Sequence, residues 1–240
     1  MKQRESGFTI IETSLVLAIT GLVVALTLIG IGNALNQQRY TDAVNQAVDF
    51  FRGQYTQVSS TVNNRPITDN CGLSGITTGP DVTRGATECI LLGKILHTNN
   101  GKITVHQVVG LSDPSATTGA STMTDTQILS ASQLIEGNLV DTYEPEWATS
   151  LLAPGSSNPA IFSIMIVRTP ISGTVHTYSS SSATTTPSGL LSVSPQTDTM
   201  MCVDQAGFFS AMIAPMGITI AKEAVNTTGV QVVPAGDCHA

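Results

Sequence analysis

An unbroken apolar run near the amino terminus constrains this chain more than any other feature. It starts at Phe8, reaches about Gly32, contains no Lys, Arg or Pro, and carries one charge, Glu12. About 20 helical residues cross a hydrocarbon core, so the run is long enough to span a bilayer. Lys2 and Arg4 precede it. Their charge favours an amino terminus on the cytoplasmic side, with the rest of the chain sent outward. A secretory signal or a plain signal anchor is also apolar, and Ala25, Gly30 and Gly32 offer small residues for a secretory cut. Neither accounts for Gly7 directly before the run, nor for a lone Glu four residues beyond Phe8.

The helical pattern continues past Gly32 but becomes amphipathic. Leu35, Ala43, Val44, Ala47, Val48, Phe51, Tyr55 and Val58 recur at three- and four-residue steps, and Gln37, Gln38, Arg39, Asp42, Gln46, Asp49, Arg52 and Gln54 fill other faces. No Pro occurs before Pro66. The pattern predicts one helix from about Phe8 to about Ser60, roughly 80 Å long at helical rise. Residues 8–32 form its membrane or filament-core segment and 33–60 its amphipathic half. A break between two separate helices would fall near Gly30-Ile31-Gly32-Asn33.

Gly7-Phe8-Thr9-Ile10-Ile11-Glu12, behind Lys2 and Arg4, resembles the type III signal sequence of type IV prepilins and type II secretion pseudopilins. The match covers about the first 35 residues. The resemblance implies that residues 1–7 are a leader cut after Gly7 by a prepilin peptidase, and that Phe8 becomes an N-methylated terminus. It implies that Glu12 pairs in the filament with the free amine of Phe8 on a neighbouring subunit. The partners implied are other copies of the chain, minor pilins and an inner-membrane assembly platform. The chain is then first a cytoplasmic-membrane precursor and later part of an extracellular pilus serving adhesion, twitching motility or DNA uptake. A carboxylate at a bilayer centre costs about 2.5–3.5 kcal/mol, less near the headgroups, so pairing would offset a real penalty. One departure is Ile29, which stands where many pilins carry a helix-breaking Pro. Gly21 sits where several members also have Gly. The alternatives are a pseudopilin of a type II secretion system and a membrane-anchored surface adhesin module.

Residues 61–240 are expected to form a β-rich head, giving an α+β fold with one antiparallel sheet on the second half of the helix. Residues 61–87 read as a loop. Strands are predicted at Glu88–Leu96 and Lys102–Val109, with an Asn-Gly turn between them. A short helix capped by Asp125 is predicted to reach about Ile135. Further strands are predicted at Ala160–Val167, Thr174–Tyr178, Met200–Val203, Phe208–Ile213, Ile218–Ala221 and Val230–Val233. The Ser/Thr tract 179–189 reads as an exposed loop. Cys71, Cys89, Cys202 and Cys238 suit two disulfides in an oxidising compartment. Three pairings exist, and proximity favours Cys71–Cys89 and Cys202–Cys238. In the chain-entropy model these loops contribute about 3 and about 4 kcal/mol. The terminal pair also looks like the disulfide-bounded region near the end of many type IV pilins.

Enzyme chemistry is not predicted. No GxSxG, HExxH, P-loop or strand–helix GxGxxG occurs. His97, His106, His176 and His239 are scattered, and no cofactor or metal is implied. Glu144 and Glu146 flank Pro145 beside Trp147, a pair more often solvated than catalytic. Trp147 is expected to anchor a core or subunit contact. Asp198, Asp204 and Asp237 lack EF-hand spacing. A net charge of −7 and dispersed Lys and Arg give no strong nucleic-acid signal. Asn226-Thr227-Thr228 is an N-glycosylation sequon.

Overall fold

The structure, a computed structural model, describes residues 9–63, 68–72, 75–79, 89–111, 122–182, 185–193, 196–205, 215–234, 236 and 238. The chain divides into two units, one ending at Asp42 and the other starting at Ala43. A single helix, α1 (Ile10–Ser59), runs through both and is unbroken at Gly21, Gly30 and Gly32. The sequence places the boundary after Gly32, whereas the structural one falls ten residues later, two residues past Tyr40, the first buried side chain of the helix. Leu35 is 47% exposed, Tyr40 3% and Ala43 1%.

Up to Ile31, the described part of α1 is a bare, mostly apolar helix. Ile10, Leu17, Leu22, Leu26 and Ile29 are all exposed. Its hydroxyls are spent within the helix. Thr13 donates to the Ile10 carbonyl, Ser14 to Ile11, Thr20 to Val16, and Thr27 to Val24. Satisfied this way, they add little to the cost of placing the segment in an apolar medium. The helix is long and apolar enough to cross a membrane.

Among the described residues, the second unit holds the rest of α1 and eleven strands: β1 (Asp69–Gly72), β2 (Gly75–Thr78), β3 (Ile90–Asn99), β4 (Lys102–Gly110), β5 (Leu134–Tyr143), β6 (Thr149–Leu152), β7 (Ser163–Arg168), β8 (Val175–Ser180), β9 (Thr199–Gln205), β10 (Met216–Ile220) and β11 (Val230–Val233). It also holds two short helices, α2 (Asp125–Ala131) and α3 (Pro187–Ser192), and a 3-10 turn, Thr227–Gly229. The expected single sheet is instead, among the described residues, three antiparallel sheets. One is five-stranded in the order β5-β4-β3-β7-β8, one four-stranded in the order β11-β10-β9-β6, and one is the β1-β2 hairpin.

Strand alternation gives the five-stranded sheet two apolar faces. On one, Lys94 and Thr177 meet α1, where Ala47, Phe51, Tyr55 and Val58 are buried. On the other, Leu92, Ile95, Val108, Met165 and Val167 form a core with Leu129 of α2 and Leu190 of α3. Phe50 of α1 stacks on Tyr143 at 4.7 Å between ring centroids. Arg52 donates to the Val230 carbonyl at 3.0 Å, so the helix also touches the four-stranded sheet. Gly93 lies at a bulge in β3, where a Cβ would come within 2.1 Å of the Ile166 carbonyl oxygen.

The β3–β4 hairpin forms as the sequence predicts. Its turn is tighter, because β3 continues through Asn99 and only Asn100 and Gly101 turn, at φ 51° and 77°. Both values suit a two-residue hairpin loop. Other readings need correction. The cap of α2 is Thr124, which exchanges bonds with Gln127 in a capping box, and the helix stops at Ala131. Gln133 then turns at φ 51° into β5, a strand where the sequence reading continues the helix to Ile135. The tract 179–189 is no simple loop. β8 runs to Ser180, and Thr186 caps α3 with Pro187 in its first turn and Leu190 fully buried. The 61–87 loop contains the β1-β2 hairpin. Phe208–Ile213 lies outside the described residues, and the partners of β9 are β10 and β6.

Candidate functional site

At the head of α1, Thr9 and Glu12 form a capping box. The Glu12 amide donates to Thr9 Oγ1 at 3.3 Å, and Thr9 returns its amide and its hydroxyl to Glu12 Oε2, each at 3.1 Å. Thr9-Ile10-Ile11-Glu12 is the T-x-x-E signature of such a cap, so the arrangement was readable in the sequence. The sequence reading assigns Glu12 only an intermolecular role and misses this local one. A carboxylate in the first turn also suits the positive end of the helix dipole. Gly7 and Phe8, where the sequence leads one to expect cleavage and methylation, lie outside the described residues.

The four cysteines pair as proximity favours. Cys71–Cys89 has an S–S distance of 1.94 Å and Cys202–Cys238 one of 2.06 Å. The first staples the β1-β2 hairpin to the start of β3. The second ties β9 to the chain after β11, with β10 and β11 inside its loop. Cys202 pairs in register with Gly217, and a Cβ there would lie 3.1 Å from Cys238 Sγ. A glycine at 217 therefore leaves room for the bridge.

Three polar clusters bring together residues that the sequence scatters. In the first, Lys94 is 2% exposed and its ammonium donates to Gln54 at 2.8 Å and to Gln57, both on α1. Burial lowers its pKa, and the charge of Asp141 opposes that shift. Gln54 completes the chain by donating to Asp141 at 3.4 Å. In the second, the Tyr55 hydroxyl and Thr177 Oγ1 are 2.8 Å apart, and Thr177 donates to the Ala224 carbonyl. Thr177 has one hydroxyl proton, so Tyr55 is the donor. Burial pushes the Tyr55 hydroxyl up to about 12.

The third cluster joins His97, His106 and Glu136 from β3, β4 and β5. His97 Nε2 lies 3.3 Å from one Glu136 oxygen and His106 Nδ1 lies 3.1 Å from the other. Ser163 donates to the Ser182 carbonyl, so its oxygen can only accept from His97 Nδ1 at 2.9 Å. The His97 hydrogen bond holds the Glu136 carboxyl below its usual range, against the opposing effect of burial. Among the described residues, no group of three His, Cys, Asp or Glu side chains is arranged to hold a metal ion.

The remaining candidates stand apart. His176 pairs with Asp125 at 2.7 Å, and Asp125 also accepts from Ser172. The carboxylate thus sits between the two, unlike the order of a nucleophilic triad. Asp198 accepts the Lys222 amide, Asp204 lies in β9, and Asp237 is outside the described residues. Glu144 meets Lys102 at 3.6 Å. Trp147 is 54% exposed at φ 57°, which excludes the core role expected of it. A bulky residue with positive φ is a backbone outlier, and such strain concentrates at functional positions. His239 lies outside the described residues.

Comparison of the chain with protein-family models, with curated proteins and with solved structures found no match.

Proposed function

We propose that this chain is a structural subunit of a type IV pilus-like filament, made in the membrane, cut after Gly7, and assembled through its helix. The observation that carries the reading is the division of α1. Its first part exposes apolar side chains along its length behind a single carboxylate, and its second part is buried in a disulfide-bonded head. Such a surface is costly in water at roughly 25 cal/mol per Å². It needs either lipid or other copies of the same helix, and a filament subunit uses each in turn. A pseudopilin of a secretion system would share all of these features. The uncut leader of an anchored adhesin module would not fit the Gly7-Phe8 junction.

On this reading Glu12 works twice. In the membrane it caps its own helix through Thr9. In the filament it also meets the Phe8 amine of a neighbouring copy. Two substitutions separate the roles. Glu12→Gln keeps a side-chain oxygen for the Thr9 amide but removes the charge, whereas Glu12→Ala removes both. Both variants are expected to be processed yet to yield at least tenfold fewer surface filaments, scored by shearing and immunoblot, because leaving one buried charge unpaired costs about 3–5 kcal/mol. Normal filament yield from Glu12→Gln would reduce Glu12 to a helix cap.

A further inference from the structure

We propose that Asn226 is the acceptor of an N-linked oligosaccharide. Asn226-Thr227-Thr228 is the only Asn-x-Ser/Thr sequence in the 240 residues. It lies in the connection between β10 and β11, and Lys222, Glu223, Val225, Asn226 and Thr228 are all exposed there. Asn226 itself is extended at φ −159°, and a single 3-10 turn, Thr227–Gly229, follows it.

The side chain is arranged for transfer. Asn226 Oδ1 accepts from the Thr228 amide at 2.9 Å and from the Thr228 hydroxyl at 2.6 Å. Both bonds draw density toward the oxygen and make the Nδ2 protons more acidic. Nδ2 makes no hydrogen bond among the described residues, so attaching a sugar breaks nothing in the fold. The neighbouring Val225 is 51% exposed, an apolar surface that a glycan would shield. A cap on the 3-10 turn alone would need Oδ1 and the Thr228 amide, and would leave the hydroxyl without a task.

In the reaction, Nδ2 attacks C1 of the first sugar of a lipid-pyrophosphate-linked oligosaccharide. The Nδ2–C1 bond forms, the C1–O bond to pyrophosphate breaks, and lipid pyrophosphate leaves. One Nδ2 proton passes to a base of the transferase. Transfer takes place outside the cytoplasm, so the inference rests on the export part of the proposed function.

The test is peptide mass analysis of the protein from its native cells. No Lys or Arg follows Lys222, so trypsin after reduction releases 223–240 as one peptide. The expected result is a mass raised by whole sugar residues, with fragment ions placing them on Asn226. Asn226→Gln and Thr228→Ala are expected to return the peptide to its unmodified mass, and Thr228→Ser to keep the sugar. An unmodified Asn226, or sugar on Thr227 or Thr228 instead, would overturn the proposal. The Phe8 terminus is scored in the same digest. Sugar on Asn226 with an uncut leader removes the filament reading alone, and a processed Phe8 with a bare Asn226 removes this one alone.

Discussion

Single side chains decide how the amphipathic half of α1 is held. Tyr55 gives its proton to Thr177, and Thr177 passes its own to Ala224, so one short relay ties the helix to β8 and to the loop after β10. Tyr55→Phe removes the donor but leaves Thr177 satisfied. It is expected to cost about 0.5–1.5 kcal/mol in denaturant unfolding of the detergent-solubilised chain. Gln54→Leu leaves the buried Lys94 ammonium short of a partner and should cost more, about 1–3 kcal/mol. Glu136 sets a pH dependence. Its folded pKa is held below the ordinary value of about 4.5, so its contribution is present above that value and is lost as pH falls through the lowered one. Wild type is expected to lose more stability than Glu136→Gln on acidification from pH about 5 to pH about 3. Parallel acid profiles for the two proteins would remove Glu136 from the account.

At the scale of elements, β3 depends on one glycine. Gly93→Ala would push a methyl into the Ile166 backbone, where no flexible side chain can yield. The expected loss is about 1–3 kcal/mol, read from the same unfolding curves, and an unchanged midpoint would contradict the close β3–β7 approach. Legibility in the sequence followed how local each signal is. The α1 span, the β3–β4 hairpin and β11 rest on periodicity and an Asn-Gly turn, and they formed as read. β5 was missed because Leu134-Ile135-Glu136-Gly137-Asn138 follows a capped helix and looks like its continuation, until Gln133 turns left-handed. α3 was missed because Thr-Pro-Ser-Gly-Leu-Leu sits in a Ser/Thr tract whose composition outweighed a good N-cap and a Pro in the first turn. The split into separate sheets was not readable, since it depends on which strands pair across long sequence distances. The His97–Glu136–His106 cluster was hidden for the same reason. Thr9 was within reach, because its capping motif is local.

For the whole molecule, the governing fact is that one helix belongs to two environments. From Ala43 onward it packs into the core of a disulfide-bonded α+β head, and up to Ile31 its described residues are mostly apolar and all exposed. The account assigns that segment first to lipid and then to contacts with other copies. Everything in the assignment turns on whether the chain is cut at Gly7, since an uncut leader would keep Lys2 and Arg4 at the cytoplasmic face and hold each copy in the membrane. The most direct measurement is the intact mass and amino-terminal peptide of the protein recovered from its native cell surface. The account predicts a chain that begins at Phe8 and carries one added methyl group on the amine. A chain that begins at Met1, or one cut well beyond the start of the apolar run, would contradict it.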